Sequence, residues 1–437
     1  MKVAIAGYGV EGEENFKYWT EFGADITIFD EQEETAKPLP GGSKNRLGKG
    51  VFSDMNGYDL VIRTASLNPD KIKTDGKIWS ATNEFFDKCP APIIGVTGTK
   101  GKGTTCSLIA EILRASGKKV HLVGNIGVPA LEVLPIIKSS DFVVFELSSF
   151  QLWDIKKSPE TAVILMIEPD HLNIHADMDD YVKAKSNIGR FQTEENLMVY
   201  HPTNLLSAEA ATISSAKKVK YMTPEGAHLQ QIPNSKFQIP NIVIDGNIIC
   251  DISEVGLLGP HNLDNICAAI TASWRYIKDI DAIKKAVKSF KGLPHRIELV
   301  RELDGVKYYD DSYSPNPAST RAAVGSFEQP IVLIAGGFDR QLDFSDSLAK
   351  VISDKPVKKV ILMGQTAGKI AEILDDIGFK EYEVLKTDVF KDAVVLAKDS
   401  AVSGDVVLLS PGCPSFDMFK NFEERGEQFK KIVGELI

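Results

Sequence analysis

The sequence contains 437 residues, of which 43% are hydrophobic and 25% are charged. This composition is typical of a soluble globular enzyme, and the length predicts about two to four domains. The 60 acidic and 50 basic residues give a net charge of −10. An acidic surface argues against nucleic acid as a partner, because phosphate backbones bind to basic faces.

The apolar segments argue against any association with a membrane. None of them approaches the ~18 consecutive apolar residues of a membrane span. The apolar run in the N-terminal "MKVAIAGYGVEG" is too short for a signal peptide. The five cysteines have no CxxC spacing, so we expect reduced thiols rather than a zinc site. The chain is therefore expected to be cytoplasmic.

Short β-branched runs alternate with helix-period segments along the whole chain. The first strands are predicted at "KVAIAGYG", "DITIFD" and "DLVIRTA", and later ones at "PIIGVTG", "FVVFELSS", "AVILMIEP", "PIVLIAGG" and "DVVLLSPG". This alternation predicts an α/β fold with parallel sheets and helices on both faces. Asp-Gly pairs in "NIVIDGNIIC" and "IELVRELDGVKYYDD" predict two hairpins.

Proline-rich and glycine-rich junctions near "DKCPAPII" and "FKGLPHRIE" indicate three domains. We place them at 1–90, 91–296 and 297–437. The first is expected to be Rossmann-like, the second to have the mostly parallel sheet of a P-loop ATPase, and the third to be Rossmann-like again.

A GxGxxG motif follows the first predicted strand. It is formed by Gly7, Gly9 and Gly12, and Asp30 closes the second strand. Such a motif favours a helix N-terminus that receives a diphosphate, with the carboxylate accepting from a ribose or a base. An NAD site and a glycine turn without a ligand are alternatives. A different diphosphate ligand is favoured, because the first domain is too short for a full dinucleotide fold.

The segment "GVTGTKGKGTTC", residues 95–106, resembles a phosphate-binding loop between a strand and a helix. In this pattern the loop glycines let backbone amides approach phosphates, and Lys102 supplies a positive charge. Gly103 stands where a hydroxyl residue is usual, so Thr104 could reach Mg²⁺ if Gly103 opened the turn by one residue.

Polar residues follow the next two predicted strands of the central domain. Glu146 ends "FVVFE", and Asp170, His171 and His175 follow "AVILMIEP". Carboxyl ends of parallel strands face the ligand crevice, so this cluster predicts a functional site rather than structural histidines. Composition alone predicts that Lys185 lies on a solvent-exposed, lysine-bearing face of the helix predicted at "DDYVKAKSNIGRF".

Several motifs together resemble the Mur ligase family. In chain order these are "GVTGTKGKGTT", "ELSSFQL", "DHLNIHADMDDYVKAKSNI", "GPHNLDNICAA", "GLPHRIE" and "SPGCPSFDMFKNFEERGEQF". The similarity is greatest to the members that add D-glutamate to UDP-N-acetylmuramoyl-L-alanine (UDP-MurNAc-L-Ala). It implies an ATP-dependent amide ligase that makes a peptidoglycan precursor through an acyl phosphate. It also implies Mg²⁺, two small-molecule substrates and a monomer.

The resemblance assigns roles residue by residue. ATP is expected to contact the loop and three later positions, namely Gly98, Thr99, Gly101, Lys102, Gly103, Thr104, Thr105, Asn265, Arg296 and Asp311. The metal ligands are expected to be Thr104, Glu146, His171 and Lys185, the last as a carbamate formed with CO₂. The resemblance implies catalytic roles for Lys102, Glu146, His171 and Lys185. The two other substrates are expected at Gly7, Gly9, Asp30, Asn125, Ser148, Arg340, Ser415 and Phe422.

Departures from the family pattern leave the incoming amino acid open. Tyr313 and Pro315 replace a lysine and a threonine that help to hold it, "ASLNPD" replaces a Ser-Pro-Gly turn, and Gln32 replaces an arginine. The same chemistry with another amino acid, such as L-glutamate, is therefore an alternative.

Three functions of other classes are weaker alternatives. The N-terminal GxGxxG domain argues against a folylpolyglutamate-type ligase. An NAD-dependent oxidoreductase would leave the phosphate loop unexplained. The segment "SPGCPSFDMFKNF" argues against a nucleotide-binding switch or scaffold.

Overall fold

The computed structural model of the chain describes residues 1–125, 127–231, 239–257, 259–387 and 389–437. The chain forms two compact units. The first comprises residues 1–255 and 263–290, and the second comprises residues 256–262 and 291–437. None of the helices within the described ranges is long and apolar enough to cross a membrane.

The first unit begins with a five-stranded parallel sheet. Its strands are β1 (Lys2–Ala6), β2 (Asp25–Asp30), β3 (Lys44–Leu47), β4 (Leu60–Arg63) and β5 (Lys77–Ser80), in the order β3-β2-β1-β4-β5. Helix α1 (Val10–Glu21) follows the GxGxxG turn, and α2 (Ala81–Lys88) follows β5. Both faces of this sheet are buried, because Val3 and Ile5 of β1 pack into one apolar cluster while Ala4 and Ala6 of the same strand pack into another.

A six-stranded parallel sheet follows in the same unit. Its strands are β6 (Ile93–Thr97), β7 (Val120–Gly124), β8 (Phe142–Glu146), β9 (Thr161–Ile164), β10 (Leu197–Tyr200) and β11 (Lys217–Lys220), in the order β11-β10-β9-β6-β8-β7. The intervening helices are α3 (Lys102–Ala115), α4 (Ala130–Val133), α5 (Ser149–Leu152), α6 (Met178–Ser186) and α7 (Leu205–Ala211). One apolar core joins this sheet to the first, because residues from both belong to the same buried cluster.

The described part of the chain between β11 and the second unit's main sheet adds a small antiparallel sheet and two helices. The elements are β12 (His228–Gln230), β13 (Asn241–Ile244), β14 (Asn247–Asp251), α8 (His261–Ser273) and α9 (Ile280–Ser289). Asp245 and Gly246 connect β13 to β14 with φ values of 51° and 74°. Positive φ at both positions is the geometry of a two-residue type I′ turn, so the first predicted hairpin is confirmed.

The second unit contains a six-stranded mixed sheet in the order β15-β16-β20-β17-β18-β19. The strands are β15 (Glu298–Leu303), β16 (Val306–Asp310), β17 (Ile331–Ala335), β18 (Val357–Leu362), β19 (Tyr382–Val384) and β20 (Val406–Leu409). The helices are α10 (Pro317–Gly325), α11 (Lys350–Asp354), α12 (Ala367–Asp376), α13 (Phe390–Ser400) and α14 (Phe422–Glu435), and a π-helix spans Ser345–Ala349.

Only the β15–β16 pair of this sheet is antiparallel among the described strands. Its Asp304-Gly305 turn confirms the second predicted hairpin, since φ is 52° and 79° there. The α/β class with mostly parallel sheets is therefore confirmed. The predicted domain boundaries near residues 90 and 296 stay a prediction.

Candidate active site

The phosphate-loop residues 98–101 connect β6 to α3 at the carboxyl edge of the central sheet. Gly98 and Gly101 have φ values of 148° and 83°. A Cβ on Gly98 would lie 2.7 Å from the Leu165 Cβ, and one on Gly101 would lie 2.2 Å from the Asn265 Oδ1. Both positions therefore require glycine, for conformation and for space.

The turn does not open where the sequence suggested. Gly103 lies within α3, which runs from Lys102 to Ala115 with Gly101 as its N-cap. The left-handed residue thus precedes the lysine rather than following it, and the expectation that Gly103 opens the turn is wrong. The buried hydroxyl residues Thr104 and Thr105 belong to the first helical turn, and Thr105 Oγ1 lies 3.4 Å from Asn265 Oδ1.

Two lysines converge on this loop. Lys102 Nζ donates to the carbonyl oxygens of Gly98 and Thr99, each at 2.9 Å. Lys185 Nζ donates to the same Gly98 oxygen at 2.8 Å. Lys185 is only 1% exposed, so the solvated lysine face suggested by composition is wrong at this position.

The environment of Lys185 disfavours its ammonium form. Burial, and then the charge of Lys102, hold the pKa of Lys185 well below its usual range, although Asp170 and Glu146 act in the opposite direction. Desolvation and a nearby like charge both penalise a cation. The pocket therefore suits a neutral amine or an anionic partner for Lys102 better than two ammonium groups.

The polar residues after β8 and β9 face this pocket to different extents. Glu146 ends β8 and is 9% exposed. The His171 side chain is about half exposed, at 46%, and the residue has φ 55°. Partial burial lowers the pKa of His171; Asp170 raises it, and the charges of Lys185 and Lys102 lower it. These mutual effects indicate that Glu146, His171 and the two lysines share one electrostatic environment.

His175 does not belong with His171 as a second functional histidine. Its ring is buried, with Nδ1 2.8 Å from Asp180 Oδ2 and Nε2 2.9 Å from Ser149 Oγ. The ring also stacks on Phe150 at 5.4 Å. Because both nitrogens have partners inside the fold, His175 fixes α5 against α6, and the expected pairing of the two histidines at the site is wrong.

Two residues whose hydroxyl groups were expected to contact ligands, Thr99 and Ser148, form hydrogen bonds within the protein. Thr99 Oγ1 donates to Glu168 O at 3.0 Å, accepts from Glu168 N at 2.9 Å and lies 3.2 Å from Tyr181 Oη. Ser148 Oγ accepts from Gln151 N at 3.2 Å and so caps α5. Their positions at strand ends match the prediction, and their roles toward a ligand remain a proposal.

The GxGxxG turn has the geometry that its glycines require. Gly7 has φ 95°, and a Cβ on Gly12 would lie 2.4 Å from Gly7 O, which is the close helix–strand approach of this motif. Asp30 accepts from Tyr8 N at 2.7 Å and from Gln32 N at 2.9 Å. The carboxylate therefore shapes the turn itself.

A cavity of about 170 Å³ lies beside the start of α1. It is lined on one side by Glu11 and Glu14 of α1 and on another by Asn125 after β7 and Gln151 of α5. Asn125 N also donates to Glu146 O at 3.3 Å. The structure thus brings Asn125 and the end of α1 that bears the glycine motif to one cavity.

The second unit gathers some of its predicted residues around Asp311. This side chain is buried and accepts from Ser314 Oγ, from Ser410 Oγ at 2.6 Å and from Ile297 N at 3.2 Å. Burial raises the pKa of Asp311 to about 7, although these hydrogen bonds and the charge of Arg296 lower it. Asp311 is therefore held in one orientation.

Two of the three predicted amino-acid contacts, Arg340 and Phe422, lie beside aromatic rings in the same unit. Arg340 is exposed and lies 5.6 Å from the ring centre of Phe416. Phe422 begins α14 and packs 5.0 Å from Tyr313. Ser415 is buried, at 2% exposure.

Sequence reasoning missed two buried arginines that organise the loops. Arg63 ends β4 and donates to the Asp154 carboxylate and, at 3.0 Å, to Phe150 O. Arg425 of α14 donates to Ser312 and to carbonyls of the "SPGCPS" segment. A charge closing an apolar strand, and a charge on the buried face of a helix, are the signals that could have revealed them.

Two segments of the chain match known protein domains, and the whole chain matches known enzymes. Residues 96–273 match the Mur ligase middle domain, and residues 295–413 match the Mur ligase glutamate ligase domain. The chain is 38% identical over 450 residues to the UDP-N-acetylmuramoylalanine–D-glutamate ligase of Clostridium tetani, covering 100% of this chain and 97% of the relative. The corresponding enzyme of Acetivibrio thermocellus is 39% identical over 461 residues, with 100% and 96% covered.

The fold also resembles that of solved structures. MurF from Acinetobacter baumannii superposes with a TM-score of 0.64 at 16% identity, over 98% of this chain and 93% of that one. The full-length similarity to curated relatives and the two domain matches identify the family. The chain belongs to the Mur ligase family.

Proposed function

We propose that this protein is an ATP-dependent amide ligase that joins D-glutamate to UDP-MurNAc-L-Ala during the synthesis of peptidoglycan precursors. The observation that carries the proposal is the convergence of Lys102 and Lys185 on Gly98 O at a glycine-formed phosphate loop. The names of the relatives, which cover the whole chain, support the same reaction and both substrates.

The reaction requires activation because oxide is a very poor leaving group. The γ-phosphoryl group of ATP passes to the terminal carboxylate of UDP-MurNAc-L-Ala, giving ADP and an acyl phosphate. The amine of D-glutamate attacks the acyl carbon, loses a proton and expels inorganic phosphate. Two anions must come together in the first step, so positive charge near the loop lowers the barrier.

The chain's own residues supply much of that environment. Lys102 lies at the start of α3, where a small shift from the Gly98 and Thr99 carbonyls would bring Nζ to a bound phosphate. The loop amides and the N-terminus of α3 favour the same negative charge. Asn265 touches the loop at Gly101 and is proposed to orient the adenine nucleotide, together with Arg296 and Asp311.

The donor set of the pocket fits Mg²⁺. Glu146 offers a carboxylate and Thr104 a hydroxyl, and oxygen ligands of this kind are the ones that Mg²⁺ prefers. The depressed pKa of Lys185, caused first by burial, suits conversion of its amine to a carbamate, whose negative charge would support the ion. We propose Thr104, Glu146, His171 and carbamylated Lys185 as the metal-holding residues. Bound Mg²⁺ would neutralise phosphate charge.

The remaining substrate roles are proposed for residues in the positions described above. Gly7, Gly9 and Asp30 are assigned to the uridine diphosphate, and Asn125 and Ser148 to the muramoyl-alanine portion. Arg340, Ser415 and Phe422 are assigned to D-glutamate, since an arginine can hold a carboxylate with two hydrogen bonds. A monomeric state and a cytoplasmic location remain predictions from the sequence.

A phosphate-release assay with a panel of substrates tests this function. Purified protein is given ATP, Mg²⁺ and UDP-MurNAc-L-Ala with either D-glutamate or L-glutamate, or a folate with L-glutamate. We expect release only with the D-glutamate pair. Release with L-glutamate would reassign the amino acid, which the exposed Tyr313 and Pro315 leave open, and release with the folate alone would overturn the proposal.

A further inference from the structure

Glu14 links α1 to the segment that follows β7. Its Oε1 accepts from Leu131 N at 2.6 Å, across 117 residues of chain. Leu131 lies in the first turn of α4, and the N-cap residue of that helix, Pro129, makes no side-chain cap. Unpaired amides at a helix start need an acceptor, so Glu14 supplies from another element the cap that α4 lacks.

This cap lies at the wall of the cavity described above. Glu14, Pro129 and Ala130 line the cavity together with Gly124 and Asn125. The hydrogen bond thus holds Leu131, which follows Asn125 by six residues, against α1. The same helix α1 begins at the GxGxxG turn, so one rigid element connects the proposed diphosphate position to the proposed muramoyl position.

The wall of the cavity carries a second carboxylate beside that of Glu14. Glu11 also borders the cavity and uses its Oε2 to hold Ala65 N at 2.6 Å. Burial raises the pKa of Glu14 to about 7; the charges of Glu11 and Glu132 add to this, while the amides of Leu131 and Glu132 lower it. Two carboxylates beside one cavity are costly, and such costs occur preferentially at functional sites.

We propose that Glu14 is a positioning residue for the sugar-nucleotide substrate, which sets the spacing between the glycine end of α1 and the Asn125 segment. This inference rests on the proposed function. It predicts an effect on recognition of UDP-MurNAc-L-Ala that does not extend to ATP or D-glutamate.

The test compares Glu14→Ala and Glu14→Gln with the matched control Glu13→Ala. Glu13 is the adjacent residue of α1, and it pairs with Lys17 at 3.0 Å and Lys37 at 3.5 Å outside the cavity. Alanine favours helix, so α1 should persist in each variant. The KM for each of the three substrates and kcat are measured, and hydrogen exchange is followed over residues 127–133.

Loss of the hydrogen bond to Leu131 N should raise the KM for UDP-MurNAc-L-Ala about tenfold in Glu14→Ala. The other two KM values and kcat should change less than about twofold on the same reasoning. Glu14→Gln should recover part of the affinity, because its carbonyl oxygen can accept from Leu131 N. Exchange at 127–133 should accelerate in Glu14→Ala and remain normal in Glu13→Ala.

The outcomes separate this inference from the function on which it rests. Wild-type protein that releases no phosphate with any pair of substrates overturns the proposed function, and the positioning role with it. Active wild type with equal KM values in Glu14→Ala and Glu13→Ala overturns the positioning role alone. A parallel rise of all three KM values would show a general structural defect and would also overturn it.

Discussion

Arg425 is the buried cation of the second unit whose removal should be most damaging. It is 1% exposed and lies on the inner face of α14. Its guanidinium donates to Ser312 Oγ and Ser312 O at 2.9 Å, to Cys413 O at 3.1 Å and to Pro414 O at 3.4 Å. One side chain thus joins the loop after β16 to the loop after β20.

The cost of Arg425→Met can be worked from these contacts. Four buried acceptors would lose their donor, at about 1–3 kcal/mol each and least for Pro414 O, whose contact is the longest. Part of this is offset because the charge itself is costly to bury, as the lowering of the Arg425 pKa to about 10 by desolvation shows. We expect a net loss of about 4 kcal/mol in the stability of the second unit.

Arg301→Met is the matched control. Arg301 Nη1 also donates to three carbonyls, those of Val433, Gly434 and Leu436, at 3.0–3.1 Å. Two of these contacts are only partly buried and one is exposed. Water can replace this donor, so the expected loss is about 1 kcal/mol.

Hydrogen exchange of the β16 and β20 amides measures both effects in the intact chain. Exchange through opening of the unit should accelerate about a thousandfold in Arg425→Met and about fivefold in Arg301→Met, at 1.4 kcal/mol per tenfold. The KM for D-glutamate should also rise in Arg425→Met, because the held carbonyls immediately precede Ser415. Equal exchange in the two variants would refute the reasoning about buried acceptors.

Three further predictions concern the nucleotide site and Asp311. Lys102→Ala and Glu146→Ala should each abolish ADP release, and normal turnover in either variant would remove that residue from the proposed site. Gly101→Ala should weaken ATP binding and lower the Tm, because φ is 83° and the new Cβ would meet Asn265 at 2.2 Å; unchanged binding would contradict the loop geometry. Burial raises the pKa of Asp311 from 3.8 to about 7, so its ionised form destabilises the folded state above pH 7 and this cost vanishes as the pH falls towards 4. The stability of the wild type relative to Asp311→Asn should therefore fall by on the order of 4 kcal/mol between pH 4 and pH 8, and urea titrations showing no pH-dependent difference would contradict the assignment.

Local sequence patterns were sufficient to predict the strands, the two hairpins and the phosphate loop. Strand-like runs were predicted from β-branched residues, and both Asp-Gly hairpins were predicted from the need for positive φ. The glycines around Lys102 indicated a loop between a strand and a helix. Each of these features depends on residues that are close together in the chain, so the sequence displays them directly.

Contacts between distant residues could not be predicted in the same way. The pairing of Glu14 with Leu131 and of Arg425 with Ser312 spans more than 100 residues, and no periodicity reports such a partner. His175 looked equivalent to His171 because both follow β9. Only the fold shows that Asp180 and Ser149 form hydrogen bonds with the two ring nitrogens of His175.

The ¹⁸O content of the released inorganic phosphate tests most directly whether the amide bond is made through an acyl phosphate. UDP-MurNAc-L-Ala labelled with ¹⁸O in its terminal carboxylate is incubated with ATP, Mg²⁺, D-glutamate and the protein, and the inorganic phosphate is analysed by mass spectrometry. Attack of that carboxylate on ATP predicts one labelled oxygen in each phosphate released, with the other retained in the amide product. Unlabelled phosphate formed together with the amide product would contradict an acyl phosphate at this site.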